Sequence, residues 1–166
     1  MSELARLCTL VNEKIPTEEI TQETYISTEN MLPNRGGIIS AASLPNVDKV
    51  QAFHRGDILV SNIRPYFKKI WQADKDGGCS NDVLVFRAVD GVLADYLYYV
   101  LADDSFFTFA TASAKGTKMP RGDKRVIMHY EVPNRSFSEQ QKIAGILKCL
   151  DNKILANNKI NDNLVA

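Results

Sequence analysis

Cysteine is scarce in this sequence. The 166 residues hold three, Cys8, Cys79 and Cys149, about 70 positions apart. An odd number with no CxxC pair fits neither a disulfide framework nor a thiolate metal site. The two histidines, His54 and His129, have no partner at helical i,i+4 spacing. No apolar run approaches the roughly 18 residues that a membrane helix needs. Met1-Ser2-Glu3-Leu4-Ala5-Arg6 lacks the charged-then-apolar pattern of an export signal. A reduced, metal-free, cytoplasmic protein is the simplest expectation.

Catalytic signatures are missing too. There is no GxGxxG, no GxxxxGKS/T and no GxSxG elbow. The one D/E-x-K, Asp151-Asn152-Lys153, falls on an expected helix, where side chains two apart diverge. Asp103-Asp104 fits a helix start, where carboxylates favour the dipole, better than a metal site. His54, beside Arg55-Gly56-Asp57, reads as a turn residue, and Cys79 has no activating histidine nearby in sequence. Nothing nominates an enzyme.

What is present suits a globular domain. Hydrophobic residues make up 45% and charged residues 24%, too apolar for a disordered chain. The length favours one domain with an appended element. Net charge is zero, from 20 basic and 20 acidic side chains, but they are unevenly spread. Residues 81–110 carry one basic and five acidic groups; residues 111–137 carry six and two. Residues 55–80 carry five and three. The two positive blocks are rich in Gly, Pro and Ser. Local patches of this kind can hold phosphate, since screening limits distant charges to about 10 Å.

Periodicity places the elements. Tyr25-Ile26-Ser27 and Gly37-Ile38-Ile39-Ser40 read as short strands. A Gly56-Asp57 turn launches a strand over Ile58–Ile63, which Arg64-Pro65 breaks. A second strand is expected over Tyr66–Trp71, then a turn at Asp76-Gly77-Gly78. Asp82–Arg87 is the clearest buried strand. Leu93, Leu97, Val100 and Leu101 predict a helix, and a second follows Asp103-Asp104-Ser105. Phe106, Phe107 and Phe109 belong to the core. Lys115–Asp123 is a loop, and Arg125–Val132 reads as a strand.

Ser138 with Gln141 has the pattern of a capping box opening a long helix. Ile143, Leu147, Leu150, Ile154, Asn157, Asn161 and Leu164 alternate spacings of four and three, a heptad-like seam. At 1.5 Å per residue the helix would be about 40 Å long, too long to pack on its own domain throughout. Its last residues, Leu164-Val165-Ala166, carry no Gly or Pro terminator, as expected of a piece of something longer. The expected organisation is a domain over residues 1–137 and a helix over 138–166.

Three runs carry a resemblance. Phe53-His54-Arg55-Gly56-Asp57-Ile58-Leu59-Val60-Ser61 resembles the "GDIL" strand of target-recognition domains. Ala114-Lys115-Gly116-Thr117-Lys118-Met119-Pro120 resembles their glycine-threonine loop. Glu131-Val132-Pro133, then Ser138-Glu139-Gln140-Gln141-Lys142-Ile143-Ala144 with Leu147, Leu150, Asp151 and Ile154, is similar to their junction into a long helix. The family is the specificity (S) subunit of type I restriction–modification systems.

The resemblance implies an α/β (α+β) target-recognition domain. It would have a mixed, strongly twisted sheet and short helices, followed by a long coiled-coil spacer helix. A full subunit has two such units, each reading part of a split DNA site in the major groove, with antiparallel spacer helices setting their separation. It is non-catalytic and binds no cofactor. Methyltransferase subunits bring S-adenosylmethionine, and a translocase–nuclease subunit uses ATP and Mg. One unit here instead of two implies either a half-subunit that dimerises or a truncated piece.

The residues alone fit that picture. A dimer through the Ile143–Leu164 seam places two basic heads at the ends of a rod, suiting a split symmetric site. Lys115, Lys118, Arg121 and Lys124 are expected on phosphates, with Thr117 beside them and Gly116 letting backbone approach closely. Asn62, Arg64, Tyr66 and Lys68 follow the Ile58 strand. Arg64 suits guanine and Asn62 adenine. Thr28, Glu29 and Asn30 are further candidates on an early loop. The alternatives are a docking scaffold for partner helices without base readout, and a small nuclease or hydrolase.

Overall fold

The computed structural model describes residues 1–165; Ala166, the last residue of the expected helix, lies outside them. The fold is mixed α and β, as expected, but its strands are divided among three small sheets. The central sheet has the order β2-β9-β6-β7, from Cys8–Leu10, Val83–Ala88, Ile58–Ser61 and Ile70–Gln72, all antiparallel. The second has the order β3-β5-β8-β4, from Lys14–Pro16, Lys49–Phe53, Gly77–Cys79 and Tyr25–Ile26. It is the mixed one, because β4 runs parallel to β8. The third pairs β1 (Ser2–Glu3) with β10 (Glu131–Val132).

The central strands read as unbroken apolar runs because both their faces are covered. Ile58, Val60, Leu84 and Phe86 face the helices α1 (Ala94–Ala102) and α2 (Asp104–Ala112). The alternate residues Leu59, Val83 and Val85 pack against Phe53, Ile26 and Cys79 of the second sheet. Fully burying each Leu, Ile or Phe here contributes roughly 1.5–3 kcal/mol relative to exposure. Phe106 and Phe107 are buried in the helical layer, and Phe109 leans on Tyr130 at 5.4 Å between rings. Burial pushes the Cys8 and Cys79 thiols up to about 12, so both are inert core residues.

Four expectations need correction. Gly77 and Gly78 form strand β8, not a turn. A Cβ on Gly77 would meet the Thr24 carbonyl oxygen at 2.2 Å, and one on Gly78 the Val50 Cγ2 at 2.4 Å. The glycines serve close packing within the sheet. Gly37–Ser40 makes only a single bridge, Met31 to Ile38. Of Tyr66–Trp71 only the end enters β7; Pro65–Phe67 is a 3₁₀ turn. Arg125–Val132 opens as a helical turn, α3 (Lys124–Ile127), because Asp123 caps it by accepting from the Arg125 and Val126 amides.

The long helix α4 spans Phe137–Val165. Its capping box sits two residues earlier than expected. The Glu139 carboxylate accepts from the Ser136 amide and hydroxyl, each at 2.8 Å. An ionised Glu holds these bonds more strongly than the neutral Gln141 would. Gln140 turns inward instead, accepting from the Leu93 amide at 2.9 Å. Lys148 reaches Asp95 at 2.6 Å and Asp151 accepts from Tyr99 at 2.7 Å, which ties the first half of α4 to α1. Beyond Asp151 every described residue of α4 is exposed. Among the described residues, no helix is long and apolar enough to cross a membrane.

Candidate nucleic-acid interface

Where β6 ends, the chain cannot continue as a strand, because Pro65 has no amide hydrogen for a ladder. Arg64 turns into the left-handed region (φ 50°), Pro65–Phe67 make the 3₁₀ turn, and Lys68 is left-handed again (φ 53°). A second turn docks on this one. The amides of Asn34 and Arg35 donate to the carbonyls of Phe67 and Lys68 at 2.8 and 2.9 Å. Asn34 and Arg35 are left-handed as well, and these four are the non-glycine residues of positive φ among the described residues. Such conformations cost energy and persist only where surrounding bonds impose them.

The charges of this pair of turns converge on Asp104, at the start of α2. Lys68 donates to its Oδ1 at 2.8 Å, and Arg35 donates to the same oxygen. These bonds, Lys68's first, hold the Asp104 carboxyl down at about 2. The Arg35 Nε also caps the end of α1, donating to the Ala102 carbonyl at 2.6 Å. Tyr66 and Phe67 stack obliquely at 4.8 Å and are both exposed.

The glycine-rich loop joins the same edge. Lys115 and Arg121 exchange backbone hydrogen bonds at 2.9 and 3.0 Å, closing the loop at its neck. Gly116 lies at φ 101°, which a side chain would strain. The Arg64 amide donates to the Pro120 carbonyl at 2.8 Å, and the Arg64 Nη2 to the Lys118 carbonyl at 3.2 Å. The Gly122 amide donates to the Asn62 carbonyl, and the Asn62 Nδ2 returns to the Gly122 carbonyl at 3.1 Å. Together, residues 62–69 and 113–125 hold eight basic side chains and one acidic one.

The nominated residues thus fall on one edge but divide by setting. Gly116, Thr117, Lys118 and Lys124 are exposed, and Lys118 and Lys124 make no ion pair among the described residues. Lys115 reaches Asp123 at 2.8 Å yet stays 80% exposed along its side chain. Arg121 is held by Asp82, a residue that sequence reasoning did not select. Asn62 is 5% exposed and braces the loop, so its amide is not presented to a base. Arg64 is engaged with loop backbone. Asn30 is also buried, its side chain bonding Ser27, Tyr25 and Ile39 backbone, whereas Glu29 is exposed and Thr28 half-buried. Arg35 was missed as well; its signal is the Asn34-Arg35-Gly36-Gly37 turn.

The seam of α4 also divides. Ile143 and Leu147 are half-buried against the head, while Leu150, Ile154, Asn157, Asn161 and Leu164 are exposed. Among the described residues, no three His, Cys, Asp or Glu side chains are grouped to hold a metal.

The whole chain, residues 1–166, matches the family described as the type I restriction modification DNA specificity domain. The chain belongs to this family. It is 28% identical over 91 residues to the type I restriction enzyme EcoDI specificity subunit of Escherichia coli, covering 55% of this chain and 20% of that protein. It is 32% identical over 75 residues to the MjaIX specificity subunit of Methanocaldococcus jannaschii, covering 45% of this chain and 17% of that protein. The crystal structure of the HsdS subunit from Thermoanaerobacter tengcongensis shares the fold. Its TM-score is 0.69 at 22% identity, over 95% of this chain and 43% of that one. The specificity domain described here therefore corresponds to less than half of the solved relative.

Proposed function

We propose that this chain is a non-catalytic DNA-reading module of a type I restriction–modification complex. It contacts duplex DNA through the edge built from residues 62–69 and 113–125. One observation supports this above others: two basic segments with 43 residues between them are bonded backbone to backbone, Arg64 to Pro120 and Asn62 to Gly122. The bonds gather cations that would otherwise be scattered, and they fasten the neck of the loop that carries them to the end of β6. Lys118, Lys124 and Lys115 supply charge for phosphate; the neighbouring anchored side chains supply positional information.

In this reading α4 is the ruler and the docking frame. Its free half takes a second α4, from another copy or another unit, and methyltransferase and restriction subunits assemble on the frame. S-adenosylmethionine, ATP and Mg belong to those subunits, and the complex works in the cytoplasm.

Binding of duplex DNA by the complex containing this chain, followed by fluorescence anisotropy against salt, tests the reading. One preferred sequence should outcompete random duplex. A complex indifferent to sequence sinks the proposal and leaves α4 as a docking scaffold.

A further inference from the structure

Arg121 is the most tightly anchored cation of the edge. Both its backbone groups are bonded to Lys115, and its backbone also bridges to Ile63. Its side chain is fixed as well. Nε donates to Asp82 Oδ1 at 2.8 Å and Nη2 to Asp82 Oδ2 at 3.3 Å. Asp82 in turn is held where it stands: its carbonyl accepts from the Asn62 amide at 2.8 Å, and its amide donates to Ser80 Oγ at 3.2 Å. The pair is open to solvent, with side chains 52% and 37% exposed.

The way the two side chains meet leaves a defined remainder. A guanidinium has five N–H donors. The carboxylate takes the Nε hydrogen and one on Nη2. The other Nη2 hydrogen and both Nη1 hydrogens stay available, and the Nη2 hydrogen and the Nη1 hydrogen beside it form the outer end of the fork. Two parallel donors at that end match the O6 and N7 acceptors of guanine in the major groove. A phosphate contact needs charge and reach, which Lys118 at the loop tip provides. Base reading needs a side chain held in one orientation, and Arg121 is held both through its backbone and through its guanidinium.

Resting on the DNA-reading function above, we infer that Arg121 reads one guanine and that Asp82 is its positioning residue. This departs from the sequence-based expectation, which put Arg121 on phosphate and Arg64 on guanine.

Selection of bound duplexes from a pool with a randomised window, by complexes carrying wild-type chain, R121K, D82N or K118A, tests the assignment. The wild type should return a motif containing a guanine. R121K and D82N should relax preference at that same guanine roughly tenfold, leaving other positions unchanged. K118A should weaken all sequences evenly. Replacing that guanine by 7-deazaguanine, which lacks the N7 acceptor, should weaken wild type more than R121K, whose ammonium has no fixed fork to span both acceptors. Even weakening by R121K would make Arg121 a phosphate contact and overturn the inference. So would even strengthening by D82N, which would make Asp82 a mask, or an unchanged guanine preference in D82N. If the wild type itself returns no motif, the DNA-reading function fails first. Both substitutions lie on exposed side chains, and matching thermal unfolding of the variants separates specificity from folding.

Discussion

Asp57, 3% exposed at the start of β6, accepts two hydrogen bonds from the Arg87 guanidinium, each 2.8 Å long. The same carboxylate accepts from the His54 amide, and Arg87 continues to Glu13 at 2.7 Å. Asp57 is the acidic residue of the GDIL run, and its place in the fold explains that run: it locks β6 to β9. Removing Arg87 strands a buried anion, whereas removing both partners does not. Arg87→Met should therefore destabilise by about 3 kcal/mol, and Asp57→Asn combined with Arg87→Met by less. Urea titrations of the two variants check the order. Equal losses would mean that the pair matters only for its packing.

Asp104 makes the fold sensitive to acid. Hydrogen bonds from Lys68 and Arg35 hold its carboxyl at about 2, below its ordinary range. A depressed carboxyl contributes stability above its unfolded pKa and loses it as pH falls through the folded one. The contribution is complete near neutral pH and disappears between about 4 and 2. Asp104→Asn should be less stable than wild type at neutral pH, with the difference closing at the acid end. At 69% exposure the effect is small and should shrink further in high salt. Denaturation midpoints against pH, at two salt concentrations, measure it; a gap that widens in acid would contradict the assignment.

The legible parts of the sequence were those where one local signal decided the outcome. β9 and β6 announced themselves because burial on both faces leaves no polar interruptions. α1 and α2 showed helical spacing and an Asp103 cap, which accepts from Ser105. Gly77-Gly78 misled because glycine signals both turns and tight interstrand contact, and only the partner strands distinguish them. Arg125–Val132 misled because a cap at Asp123 overrode the β-like composition. β2, β3 and β5 are short and interrupted by polar residues such as Gln51, whose amide is spent on the Val11 carbonyl.

The interface was half legible for the same reason. Charge and glycine content marked residues 55–80 and 111–137 separately. That they share an edge depends on bonds spanning over 50 residues, which no local pattern encodes. The burial of Asn62 and the Asp82–Arg121 pair follow from that junction, so they were beyond reach until the two segments were placed together.

The junction itself can be tested at Gly122. A Cβ there would meet Asn62 Oδ1 at 2.8 Å and Ile127 Cδ1 at 2.9 Å. Gly122→Ala should force these apart and cost about 1–3 kcal/mol. Asn62→Ala loses one hydrogen bond and should cost about 1 kcal/mol, because its Oδ1 already lacks a partner. Both changes should speed amide exchange over residues 115–121 and degrade recognition at every base position together. An effect confined to one base would instead return Asn62 to a reading role.

α4 separates two kinds of apolar residue. Leu147 is half-buried on its own head, while Leu150 and Ile154 are each 56% exposed. An exposed leucine stripe on a helix that its own domain cannot cover is suited to a second helix. Leu150→Lys with Ile154→Lys should leave head stability within about 0.5 kcal/mol of wild type but dissociate any dimer. Leu147→Lys should lower head stability, since it breaks the packing of α4 on α1. Sedimentation mass with parallel thermal unfolding distinguishes them. A double-lysine variant with unchanged mass over the whole concentration range, set beside a dimeric wild type, would remove Leu150 and Ile154 from the interface and place the mating surface elsewhere on the helix.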